Sequence, residues 1–102
     1  MTPALKTGAQ NFNNYTTSGK YLFATGAHTN GPTALSGNYY GVLDVAINTY
    51  NGSLYGYQEF VAVNAVTGNN FKFFRLYRGG AWQSWYTEYS SANVTSASGV
   101  SF

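Results

Sequence analysis

The segment Phe71-Lys72-Phe73-Phe74-Arg75-Leu76-Tyr77-Arg78-Gly79-Gly80-Ala81-Trp82-Gln83-Ser84-Trp85-Tyr86 gathers bulky side chains into two strand-length runs separated by a pair of glycines. It predicts a β-hairpin. Arms rich in Phe, Tyr and Trp fit a pleated, half-buried surface, and Gly79-Gly80 supplies the positive-φ residues that a tight primed turn requires. This hairpin is the expected floor on which the rest of the chain packs. Trp82 and Trp85 are three residues apart, so in a flat strand they face opposite sides. One indole is then expected in the core and the other towards solvent or a ligand.

Working outward, the chain of 102 residues has the size of a single domain. Charged residues make up 8% of it and aromatics 19%, with ten tyrosines. Tyrosine with Asn, Ser, Thr and Gly makes a surface that stacks and hydrogen-bonds without charge, as recognition surfaces do. Five basic and three acidic residues are scattered singly, so no basic stripe for nucleic acid can be assembled. There is no cysteine, hence no disulfide framework or thiolate site. No apolar run has the length of a membrane span, and the N-terminus shows no signal-peptide core. Neither membrane insertion nor export by a leader is expected. Arrival outside the cell is expected as part of a larger assembly or by lysis.

Residues Met1 to Asn14 read as an extended or loosely helical lead-in. Tyr15 to Gly19 is a turn signal, Lys20–Ala24 a first strand, Thr25–Asn38 a long loop of the kind that carries function in small domains. In Gly41–Ile47 the residues Leu43, Val45 and Ile47 alternate onto one face. Asn51-Gly52 is the strongest hairpin signal in the chain and leads into Leu54–Asn64, where Tyr55, Tyr57, Glu59, Val61 and Val63 share a side. Centring that turn on Asn51-Gly52 sets Asp44 opposite Glu59, a destabilising pair unless neutralised. If the loop Asn64–Asn70 centres on Thr67, Glu59 faces Arg75, and Asp44, Glu59 and Arg75 form a self-compensating structural row. A bulge at Gly56 is the alternative register. Ser90–Phe102 reads as a connector or disordered tail. The fold expected is mainly β, an antiparallel meander or sandwich-like knob of about five strands with room for one short N-terminal helix.

Catalytic chemistry is poorly supplied. The single histidine, His28, lies in a Gly and Thr loop, and a triad with Asp44 is a pattern any serine-rich chain offers. One imidazole with scattered carboxylates makes no metal-ligand spacing. Glycoside hydrolysis needs two carboxylates flanking the bond, and Asp44 with Glu59 is the pair expected to approach. No phosphate-cradling loop is present. No catalytic residue, metal or cofactor is therefore assigned. Sugars present apolar C–H faces ringed by hydroxyls, which suits aromatic planes among amides. Tyr39, Tyr40, Tyr50, Tyr55, Trp82 and Trp85 are the candidate glycan contacts, with Tyr57, Tyr77, Tyr86 and Tyr89 as further aromatics, and many of these rings are needed to fill the core.

Asn11-Phe12-Asn13 with Tyr15-Thr16-Thr17-Ser18-Gly19-Lys20-Tyr21, then Thr29-Asn30-Gly31-Pro32, Gly41-Val42-Leu43-Asp44-Val45, Tyr57-Gln58-Glu59-Phe60, Phe74-Arg75-Leu76-Tyr77-Arg78 and Gly80-Ala81-Trp82-Gln83-Ser84-Trp85 resemble, in this order, the pyocin knob family. Its members occur in tail fibres of contractile-tailed bacteriophages and R-type pyocins. The similarity runs from Asn11 to Tyr89, and the Gly-x-Trp-x-x-Trp element with an arginine on the preceding strand is its most characteristic part. The resemblance implies a non-enzymatic adhesion module of a homotrimeric virion fibre that displays loops to lipopolysaccharide or another surface polysaccharide of a Gram-negative host. It equally admits a structural spacer knob with no ligand. A glycan depolymerase is the remaining alternative. The resemblance carries over no receptor-binding residue.

Overall fold

At Asn51 and Gly52 the backbone takes φ of 51° and 78°, the left-handed conformation of a primed two-residue turn. The turn joins β3 (Tyr39–Tyr50) to β4 (Ser53–Ala62). Their ladder runs unbroken from Tyr50↔Ser53 to Gly41↔Ala62, with Asp44 opposite Glu59. The expected register therefore holds, and no bulge forms at Gly56. A side chain at Gly56 would collide with the carbonyl of Ala46, so this glycine serves close approach of the two strands.

The computed structural model describes residues 2–64 and 71–88. Outside these lie the Thr67 centre of the expected loop, Tyr89 and the 90–102 tail. To β3 and β4 are added β1 (Ala4–Lys6), β2 (Gly19–Gly26), β5 (Lys72–Arg78), β6 (Ala81–Trp82) and β7 (Tyr86–Thr87). They form one sheet in the order β1-β2-β3-β4-β5-β6, with β7 also beside β5. Pairing is antiparallel except for β1, which joins β2 in parallel. The architecture is a mainly β antiparallel meander, with more strands than expected: β2 and β3 run beyond their expected bounds, and β1, β6 and β7 are short.

The sheet buries one face. Phe23, Leu43, Val45, Phe60 and Phe73 point inward from successive strands, as the alternation in β3 predicts. What covers them is irregular chain. A single 3₁₀ turn, Phe12–Asn14, drops Phe12 onto the sheet, where its ring meets Phe23 and Phe60 edge-on at 5.1 Å each. Backbone bonds Phe12 N to Thr29 O and Thr29 N to Gln10 O tie this segment to the long loop, whose Pro32 and Leu35 are also buried. The segment that reads as a lead-in thus supplies both an edge strand and the central ring of the core.

His28 knots the two covering segments to the sheet. Its Nδ1 accepts from Gln10 N at 2.9 Å, which leaves the proton on Nε2, 3.0 Å from the carbonyls of Ala24 and Tyr39. Both ring nitrogens are occupied in holding backbone.

Candidate functional site

Gly79 and Gly80 adopt φ of 60° and 84°, and the turn pairs Arg78 with Ala81 and Tyr77 with Trp82. Beyond Trp82 the second arm slips. Phe74 pairs with Tyr86 and Phe73 with Thr87, so the chain from Trp82 to Tyr86 carries one residue more than the partner it crosses. Such an insertion resets which face later side chains occupy. Trp85 therefore joins Trp82 on the inner side, correcting the expectation that the two indoles face apart.

Both tryptophans pack on Arg75. Its guanidinium carbon lies 3.9 Å from the ring centre of Trp82 and 4.8 Å from that of Trp85, a cation–π arrangement. Trp85 also meets Phe12 edge-on at 5.6 Å and donates from Nε1 to Asn30 O at 3.0 Å. Hairpin, 3₁₀ turn and long loop are thereby fastened at one place.

Arg75 itself is 4% exposed. It stands opposite Gln58, one residue away from the expected partner Glu59, and so points to the inner face. Its Nε donates to Gln58 Oε1 at 3.0 Å. Gln58, fully buried, spends its amide nitrogen on the carbonyls of Phe12 and Tyr15 at 2.8 and 2.9 Å. The Nη2 of Arg75 is sealed from solvent and has no hydrogen-bond partner among the described residues. Burial pushes the guanidinium down to about 10, which leaves it protonated at neutral pH.

The expected charge row is accordingly replaced. On the outer face Lys20 pairs with Asp44 at 3.6 Å and Lys72 with Glu88 at 4.0 Å. Glu59 is held above its usual range by a hydrogen bond with Glu88, then by burial and the charge of Glu88, against the opposing pull of Lys72 and Lys20. The chain's side-chain carboxylates, Asp44, Glu59 and Glu88, all belong to this face. Arg75 has none beside it.

Arg75, Trp82 and Trp85 form the floor of an open groove of about 320 Å³. Asn13, Asn30, Thr33, Gln83 and Ser84 supply its amide and hydroxyl rim. Asn30 is held by a bond from its Nδ2 to Asn11 Oδ1 at 2.9 Å. Aromatic planes, neutral donors and acceptors, and one buried cation converge here.

The six candidate aromatics do not gather in one place. Trp82 and Trp85 line the groove. Tyr39 is 3% exposed, enclosed by His28 and Phe60 at 5.0 and 5.8 Å, and offers nothing to a ligand; its ring is needed to close the core. Tyr40 is half-buried on the outer face, its backbone N donating to Asn64 Oδ1. Tyr50 and Tyr55, 69% and 43% exposed, meet edge-on at 6.3 Å beside the Asn51-Gly52 turn, also on the outer face. Residue type alone could not sort them, because strand parity assigns each ring to a face. Arg75 was legible as a charge among aromatics; the rim residues Asn13, Asn30 and Thr33 come from loops and carry no periodic signal.

No protein-family model, curated protein or solved structure matches the chain.

Proposed function

We propose that the domain is a tail-fibre knob of the pyocin knob type that attaches a phage or pyocin particle to host surface polysaccharide, lipopolysaccharide above all, without catalysis. The observation that carries this reading is the groove over Arg75, where two indoles lie among uncharged amide and hydroxyl groups. Indole faces stack on sugar C–H surfaces, and neutral donors and acceptors meet the hydroxyl ring around them. The stretches that resemble the family supply most of this groove: Asn13, Asn30, Arg75, Trp82 and Trp85 all come from them. In the assembled fibre the domain acts as one of three copies, so that weak monomeric contacts add by avidity.

The test is binding of the purified domain, sized in parallel, to a panel of Gram-negative cells with extracted lipopolysaccharide as competitor. Saturable, strain-selective binding is expected, lowered by Gln83→Ala at the rim and not by Tyr50→Ala on the opposite face. A trimeric preparation that binds no strain would overturn the reading. A purely structural knob is the second reading, favoured by the outer face. There Tyr57, Glu59, Phe74, Leu76 and Glu88 line an apolar groove of about 310 Å³. On that reading Tyr57→Lys dissociates the trimer and leaves cell binding undetectable throughout.

A further inference from the structure

We propose that the groove selects a sugar bearing a negative charge, a carboxylate or a phosphate ester, which sits on the Arg75 guanidinium. The inference deepens the glycan reading above and rests on it. Its ground is an imbalance: a cation nine-tenths buried normally has an anion against it. Arg75 has Gln58 and two indole faces, and among the described residues its Nη2 is unpartnered. The chain's three side-chain carboxylates stand on the other side of the sheet, taken up by Lys20, Lys72 and one another. None is placed to balance it.

The indole faces offset part of the cost of burial. They do not occupy the remaining N–H donors of a group that presents five in a fixed fork. That fork matches carboxylate and phosphate oxygens. Arg75 lines the groove, so an anion entering with its sugar ring on the indoles would approach the guanidinium in a medium of low dielectric, where attraction is strong. Nη2 is sealed from solvent, so seating the anion requires a small displacement of the side chains that cover it. The carbonyl-bound indole N–H of Trp85 reports that displacement.

The experiment is NMR titration of the full chain, following the Trp85 indole Nε1–H, with methyl β-glucoside, methyl β-glucuronide, glucose 6-phosphate and sodium acetate as separate probes. The expected result is that the glucuronide or the phosphate binds about tenfold or more tightly than the glucoside, the ratio supplied by one charge-assisted hydrogen bond. Comparison of those two probes identifies which anion is preferred. Arg75→Gln should bring the ratio to about one. Should that variant not fold, Ser84→Asp, which sets a carboxylate on the rim, should collapse the ratio as well. Equal binding of charged and neutral sugars would overturn the anion inference and leave the glycan reading standing. Shifts with acetate and with no sugar would leave the anion slot and overturn the glycan reading. Silence with every probe would overturn both. Shifts that depend on protein concentration alone would assign the slot to a second copy and overturn the inference.

Discussion

Gln58 and Arg75 face each other across β4 and β5 and carry the polar load of the core. Gln58→Leu keeps the volume but leaves the Tyr15 carbonyl and the guanidinium Nε without the partner Gln58 supplies, and leaves Phe12 O with the bond from Tyr15 N alone. Buried unmade bonds of this kind cost about 1–3 kcal/mol each, more at a charge, so a loss of roughly 3 kcal/mol is expected in chemical denaturation. Adding Arg75→Met should recover part of that loss, because a guanidinium buried without its hydrogen-bond acceptor costs more than an apolar side chain in its place. A double mutant no more stable than Gln58→Leu alone would contradict this. On the outer face Glu59 has its pKa raised, chiefly by the hydrogen bond with Glu88. A folded-state pKa above the unfolded one contributes stability that is complete below the unfolded value and is lost as pH rises through the folded one. The wild type should therefore lose stability relative to Glu88→Gln on going from about pH 4 to pH 7. Parallel melting curves across that range would refute the coupling.

At the level of elements, turns were the most readable part of the sequence. Asn51-Gly52 fixes both conformation and register, and Asp44 falls opposite Glu59 as a direct consequence. Gly79-Gly80 is as clear, and Gly79→Val with Gly80→Val should cost about 2–4 kcal/mol, since each left-handed position strains a residue with a Cβ. A wild-type melting temperature in the double variant would contradict the primed turn. The register of β5 was less legible, because Asn64–Asn70 offers several possible turn centres, and a shift of one residue moved Arg75 from the charged face to the core. The extra residue between Trp82 and Tyr86 was illegible for a related reason. Spacing rules assume an even pleat, and nothing in Gln83-Ser84 announces that the pleat is broken.

Across the whole molecule, a single sheet is closed by loops, and the element that closes it left little trace in the sequence. Phe12 stands alone among Asn and Gln, so it has no apolar periodicity to mark it as core; only its tertiary position under Phe23, Phe60 and Trp85 does. Phe12→Ala should cost about 3–5 kcal/mol, the range for a large ring removed from a packed interior. Amide exchange should accelerate in the long loop along with the N-terminal segment, because Phe12 and Thr29 are hydrogen-bonded. Acceleration confined to residues before Phe12 would show that the two covering segments are independent.

The chain has two tryptophans, and both rest on the same guanidinium. Indole emission, excited beyond the absorption band of the ten tyrosines, is therefore a local signal, confined to the groove and the end of its hairpin, while far-ultraviolet circular dichroism averages over the sheet. Unfolding curves from the two methods separate if the hairpin end releases before the sheet and coincide if the clasp and the sheet are one cooperative unit. The same spectroscopic economy makes an emission change on adding glycan a reading of this groove, with no other indole in the chain to confuse it.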